Sequence, residues 1–265
     1  GSEHRKGTKE GCAEGDCGAC TVELGRPSGE GMRYEAVNSC IQFLPTLDGC
    51  QLLTVEDLKG SHGELHPVQK AMVEAHGSQC GFCTPGFVMS LFTLWKRREQ
   101  PTDQQIDDTL AGNLCRCTGY GTIVNAARAM HGPAGATGHI DAREAEVAAR
   151  LRAIADDQTL MVEHEGRRFF APATIERLAA ILVDHPKAVV LAGSTDVGLW
   201  VTKQHRVLET VVHIGRVAEL KQVVHTDDAI EIGAGVTCSQ GMDTLAAEWP
   251  DLGEIYRRFA STQIR

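Results

Sequence analysis

The chain has 265 residues, 42% of them apolar, a length that allows one to three domains with real cores. A formal net charge of −9 argues against nucleic acid or an anionic membrane as the partner, since neither favours an acidic surface. No run of about 18 apolar residues is available for a membrane span, and the N-terminus lacks the apolar core of a signal peptide, so the expected location is cytoplasmic.

Taken in chain order, the first sixty residues are rich in turns around Gly11, Gly15, Gly18 and Gly25, with short extended segments expected at Thr21 to Leu24 and Gln51 to Val55. From His62 the pattern becomes helical. Pro67 starts a helix with Val68, Met72 and Ala75 on one face, and Thr84-Pro85 supplies the N-cap and first turn of a second. That second helix runs through Phe87, Leu91 and Leu94 to the cationic cluster Lys96 to Arg98, which is expected to cap its C-terminus. Thr102 caps a third helix ending near Gly112-Asn113, and Gly121 to Met130 makes a fourth with Ile123, Ala126 and Ala127 inward.

The small, aperiodic stretch from His131 to Gly138 has the composition of a linker, and Asp141 with Glu144 forms a capping pair for a connector helix reaching Ile154. Beyond it strands and helices alternate: Leu160 to Glu163, a helix capped at Thr174 and running to Val183, then Ala188 to Ala192, Thr210 to Ile214 and Ala229 to Ile232. The boundaries this implies are 1–61 for a loop-rich β domain, 62–131 for a helical domain, 132–167 for the connector and 168–265 for an α+β domain. The opening Gly1-Ser2 has the look of an expression scar.

Nine of the ten cysteines precede position 118, a clustering that points to metal or redox chemistry rather than to disulfides. The first set is Cys12-x4-Cys17-x2-Cys20 followed after nineteen residues by Cys40, the plant-type 2Fe-2S spacing. A loop that aims three thiolates at one cluster leaves little room for side chains, and Gly11, Gly15 and Gly18 meet that need. The second set is Cys80-x2-Cys83, thirty-one residues, then Cys115-x-Cys117. A C-x-C pair is sterically poor for tetrahedral zinc but suits a binuclear cluster, and the expected helix starts after Cys83 and Cys117 offer free N–H groups to an anionic centre. A zinc site in the first set and buried reduced cysteines in the second are the alternatives. Cys50 and Cys238 stand apart as buried small hydrophobes, and no histidine is assigned to a metal.

The segments Gly11-Cys-Ala-Glu-Gly-Asp-Cys-Gly-Ala-Cys20, Gln79-Cys-Gly-Phe-Cys-Thr-Pro-Gly86 and Asn113-Leu-Cys-Arg-Cys-Thr-Gly-Tyr120 resemble the molybdenum hydroxylases of the xanthine dehydrogenase type. The resemblance implies a multidomain α+β chain: a β-grasp ferredoxin-like 2Fe-2S domain, a four-helix 2Fe-2S domain and an α+β FAD-binding domain. It implies no catalytic residue here. The chain would be the small subunit relaying electrons from a molybdopterin centre, in a large molybdenum-binding partner subunit, through two 2Fe-2S clusters to FAD and then NAD, as hypoxanthine and xanthine are oxidised. The assembly would be a heterotetramer of two small and two large subunits.

By the same resemblance Gln79 contacts the pterin, although a glutamine there is equally an exposed residue at a helix start. The Cys80 set would face the pterin and the Cys12 set would lie nearer the flavin. Val189 to Gly198 is a buried strand entering a small-residue turn, similar to the family's flavin pyrophosphate loop, which assigns Val190, Leu191, Ala192, Gly193, Ser194, Thr195, Asp196 and Val197 to FAD. Arg258 to Arg265 resembles the start of a second flavin motif and places Phe259 and Ala260 near the same cofactor. The chain ends before that motif's glycine-rich continuation and begins eleven residues before Cys12, so the expectation is a chain clipped at both ends with an incomplete flavin site. A related hydroxylase of aldehydes or N-heterocycles is the neighbouring reading. A ferredoxin-like carrier or zinc-binding interaction module is the reading from another class.

Overall fold

The computed structural model describes residues 5–97, 99–131 and 139–265. Gly1-Ser2, Arg98 and the linker at 132–138 lie outside them. The chain forms two compact units, one of residues 1–40, 49–155 and 260–264, the other of 41–48, 156–259 and 265.

In the first unit, β1 (Thr21–Ser28) and β2 (Gly31–Asn38) make an antiparallel hairpin turned at Gly29, whose φ of 53° is left-handed. Strand β3 (Gln51–Leu53) pairs with the other edge of β1, giving the order β2-β1-β3. The hairpin partner β2 escaped the sequence pattern because Arg33 and Glu35 interrupt any apolar alternation and pair with each other on the exposed face.

Four helices follow: α1 (Pro67–Glu74), α2 (Thr84–Trp95), α3 (Asp103–Leu110) and α4 (Gly121–Ala129). Helix α2 is apolar on nearly every side, with Phe87, Leu91 and Phe92 at 0% exposure, which makes it the central element that the others wrap. Val68, Ile106, Ile123, Ala126 and Ala127 meet it as the faces of the other helices. Each large apolar side chain so enclosed contributes roughly 1.5–3 kcal/mol over its exposed state.

Two expected caps are corrected. The N-cap of α2 is Cys83, and the Thr84 hydroxyl instead donates to Ser78 Oγ at 2.7 Å, because Thr84 already lies inside the first turn. The Asp141–Glu144 pair does not cap the connector helix, whose N-cap is Arg143 with no side-chain cap hydrogen bond. The chain there splits into α5 (His139–Ala142) and α6 (Glu144–Ile154), and both carboxylates receive the Lys96 amine, at 2.7 and 2.5 Å. Lys96 is therefore not spent on its own helix terminus: its side chain is only 10% exposed and stands over the Tyr34 ring, where two carboxylates and a π-face replace lost water.

The second unit carries β4 (Leu160–His164) and β5 (Arg167–Ala171), joined by Glu165-Gly166, both at positive φ as a two-residue hairpin turn requires. After α7 (Ile175–Asp184), whose N-cap Thr174 accepts from Arg177 N, come β6 (Val189–Leu191), α8 (Val197–Thr202) and β7 (Thr210–His213). Strands β5, β7 and β6 are parallel, and the sheet order is β4-β5-β7-β6. Phe169, Ala171, Leu191 and Val211 form its core. A small ribbon of β8 (Val223–His225) and β9 (Ile230–Ile232) precedes α9 (Cys238–Glu248) and α10 (Pro250–Arg258). Both units mix helices with sheet, in keeping with the multidomain α+β class. No helix among the described residues is long and apolar enough to cross a membrane.

Candidate functional site

The loop from Cys12 to Cys20 is cinched from inside. Asn38, at the end of β2 and fully buried, donates its amide to Gly15 O at 2.6 Å and accepts weakly from the Cys20 thiol at 3.8 Å. Ser39 donates to Cys20 O through its hydroxyl (2.8 Å) and backbone (3.3 Å), which brings Cys40 back onto the loop. Gly15 and Gly18 adopt φ of 77° and 67°, and a Cβ on Gly18 would lie 2.1 Å from Gly112 O. Glycine is thus required at Gly18 both for conformation and for close approach.

The four thiols arrange as two pairs, Cys12 with Cys17 and Cys20 with Cys40, each within hydrogen-bonding reach. Burial works against a thiolate at Cys12, yet the N–H groups of Cys17, Glu14 and Asp16 outweigh it and pull that thiol below its ordinary range. Cys20 is lowered first by the Cys40 thiol, and the same contact, with burial, drives Cys40 far up.

The second set divides the same way: Cys80 reaches Cys117, and Cys83 reaches Cys115. Burial and then the Cys115 thiol push Cys83 up to about 12. Cys115 is lowered despite its burial, by the Thr118 hydroxyl at 3.2 Å and by the backbone N–H groups of Thr118 and Cys117. Tyr120, held left-handed at φ 68° as the N-cap of α4, accepts from Cys115 N at 3.0 Å. Cys80 and Cys117 are exposed, and an open cleft of about 400 Å³ is lined by the four cysteines with Phe82, Leu114, Arg116 and Tyr120.

Among the described residues no three Cys, His, Asp or Glu side chains converge as a single-ion site. The two-plus-two division is what a binuclear cluster requires, two thiolates to each iron, whereas tetrahedral zinc needs four ligands around one point. Glycine clearance, inward N–H donors and paired thiols all fit a 2Fe-2S cluster at each set.

The two sets are joined. Leu114 N donates to Cys17 O at 3.0 Å, linking the residue before Cys115 to a cysteine of the first set. Asn113, 2% exposed, donates to Gly18 O at 3.1 Å and Thr21 Oγ1 at 3.4 Å, while its Oδ1 accepts from Ser90 Oγ at 2.6 Å. Asn113, Thr118, Tyr120 and Phe82 stood inside the cysteine motifs without an assigned role, since nothing in a linear spacing says which neighbour a side chain will reach.

The expectation of a buried strand before the flavin loop is corrected. Strand β6 is an edge strand paired only with β7, so Leu191 is buried but Val190 is 48% exposed. The turn after it places buried Ser194 at φ 64°, with its carbonyl accepting from Gly198 N at 2.7 Å. A Cβ on Gly193 would meet nothing within 4 Å. Phe259 ends α10 with an exposed ring, and Ala260 turns left-handed at φ 57° into the residues 260–264 of the first unit. Gln79 is exposed in the bend before Cys80. Cys50 is half-buried and Cys238 exposed, which corrects the expectation that both are buried.

Residues 54–128 match the family described as "[2Fe-2S] binding domain", and residues 162–265 match "FAD binding domain in molybdopterin dehydrogenase". The chain belongs to the iron-sulfur and flavin part of the molybdenum hydroxylases. Xanthine dehydrogenase of Drosophila subobscura is 33% identical over 98% of this chain, and human aldehyde oxidase 32% over 91%. The chain spans 23% and 21% of those proteins' lengths. The solved quinoline 2-oxidoreductase of Pseudomonas putida 86 is 31% identical where it aligns, over 56% of this chain and 77% of that one, at a TM-score of 0.42. This molybdenum hydroxylase portion is an electron-transfer module with 2Fe-2S and FAD-binding domains.

Proposed function

We propose that the chain relays electrons from a molybdopterin centre in a partner through the Cys80 set, then the Cys12 set, to FAD and on to NAD. When bound, each cluster supplies a one-electron store and FAD a two-electron one. The observation that carries the reading is the pairing of eight thiols into two binuclear sets within one unit, bridged by the hydrogen bond from Leu114 N to Cys17 O. The residues do the rest: N–H groups and Thr118 aim at sulfur, and the glycines admit close approach.

The order of the sets is supported by their exposure. Cys80 and Cys117 open to solvent beside the exposed Phe82 and Leu114, a surface suited to a molybdenum-binding partner, whereas Cys20 is buried. In this reading Gln79 lies on the partner side, residues 190–197 hold the flavin pyrophosphate, and Phe259 and Ala260 flank the cofactor. Two such chains with two molybdenum subunits would make the enzyme. Hypoxanthine and xanthine are the proposed substrates. An aldehyde hydroxylase is the second reading, because the aldehyde oxidase match is as near as the xanthine dehydrogenase match.

Anaerobic addition of hypoxanthine to the full chain with its partner should bleach the cluster absorption, and NAD should restore it. Bleaching by an aldehyde but not by a purine would overturn the substrate assignment.

A further inference from the structure

The segment after α10 carries an unexpected side chain into the cluster-bearing unit. Residues 260–264 belong to that unit, and Gln263 is 4% exposed within it. Its amide nitrogen donates to Ser90 Oγ on α2 at 3.0 Å and to Asn113 Oδ1 at 3.0 Å. A Cβ on Gly112 would lie 2.0 Å from Gln263 Oε1 and 2.6 Å from Ser261 Cβ, so glycine at residue 112 gives this segment its room. Thr262 Oγ1 also donates to Asp108 O at 3.4 Å, tying the same segment to the end of α3.

What Gln263 grips is the bridge between the two cysteine sets. Asn113 and Leu114 lie side by side immediately before Cys115. Asn113 holds Gly18 and Thr21 of the first loop, and Leu114 holds Cys17. The Asn113 side chain faces the loop with its amide nitrogen while its oxygen is occupied on the opposite side. Ser90 and Gln263 are the two donors that occupy it. Losing one buried donor from such a network leaves the oxygen less than fully paired and frees the side chain to turn.

We propose that Gln263 is a positioning residue for electron transfer between the two clusters: acting through Asn113, it keeps the Cys17–Gly18 peptide against Leu114–Cys115. The transfer moves one electron from the reduced second cluster to the oxidised first, with no bond made or broken and no proton moved. The inference rests on the reading that both sets hold clusters. It adds that a residue of the segment resembling a flavin motif governs how well the clusters communicate.

The test uses the full chain carrying its clusters, reduced with dithionite. The unsubstituted protein must first show iron and two distinct EPR signals; if it does not, the cluster reading fails and the Gln263 inference is not what failed. Gln263→Leu removes the donor at similar size, and Gln263→Glu keeps size but cannot donate while ionised. Both should retain iron and circular dichroism, shift the g values of the first cluster's signal, weaken the magnetic splitting between the fully reduced clusters, and slow re-equilibration between them severalfold. Iron-replete variants with unchanged splitting and unchanged re-equilibration would overturn the proposal. Should neither variant fold, Ser90→Ala removes the other donor to the same oxygen; the same losses are expected from it, and unchanged splitting in it would overturn the proposal as well.

Discussion

The two cysteine sets solve one chemical problem in opposite ways. The Cys12 set is wrapped in a glycine loop pinned by Asn38, with Cys20 buried and backbone N–H groups turned inward. The Cys80 set sits where α2 and α4 begin, with Cys80 and Cys117 exposed and a hydroxyl from Thr118 supplementing the backbone. A loop encloses its cluster and depends on clearance, whereas helix starts supply donors without enclosure and leave one side open to a partner. The difference shows that ligand spacing determines what can bind, while the surrounding element determines what can reach it.

Breaking a ligand should have the largest effect and should separate the sets. Cys20→Ser and Cys117→Ser should each lower iron from about four to about two per chain and abolish one EPR signal while sparing the other. Loss of both signals from either substitution would contradict two independent sites.

Glycine substitutions sharpen the contrast between enclosure and exposure. Gly18→Ala forces a Cβ to 2.1 Å from Gly112 O at a left-handed φ, and should cost well over 2 kcal/mol together with the first cluster. Gly81→Ala, at φ 83° with nothing within 4 Å, should cost only about 1–2 kcal/mol, with iron retained. Thermal unfolding with iron analysis distinguishes them, and equal losses would mean that clearance is not what the first loop depends on.

Asn113→Ala falls between the two sites. It removes the partner of Gly18, Thr21, Ser90 and Gln263 at once and should lower stability by about 1–3 kcal/mol, read as a fall in Tm with both clusters retained.

The smallest effect concerns Glu23, fully buried on β1 three residues past Cys20, which accepts from the Thr93 hydroxyl. Burial holds its carboxyl well above the ordinary glutamate range, outweighing the Thr93 bond, with Glu35 adding to the rise. The folded state therefore binds a proton that the unfolded state has released, and stability falls as pH rises from the ordinary glutamate range toward the folded value. Glu23→Gln should flatten that fall and leave the protein at least as stable at pH 8 as unsubstituted protein. A steeper pH dependence in the variant would show that the carboxyl is ionised in the fold.

The helices around the second set were legible because their signals are local: Thr102 caps where its spacing predicts, and Ile123, Ala126 and Ala127 face inward; Thr174 does the same for α7 of the second unit. Strands β2 and β5 were not, because Arg33, Glu35, Arg167 and Arg168 break the apolar alternation on faces that solvent reaches. Helix α9 carried a usable signal that went unread, the Thr237–Gln240 capping box. The grouping of the cysteines into two sets followed from spacing alone. The Asn113, Ser90 and Gln263 network could not, since it joins positions up to 173 residues apart and exists only where Gly18, Gly86 and Gly112 let backbones approach. Asp141 and Glu144 illustrate the converse: a correct local pattern lost to a buried lysine that needed both charges more than a helix end did.

The most direct test of the account is iron and acid-labile sulfide analysis of the full chain, with EPR of the dithionite-reduced protein. About four irons, about four sulfides and two distinct signals per chain are predicted. Colourless protein holding zinc at either set would contradict it.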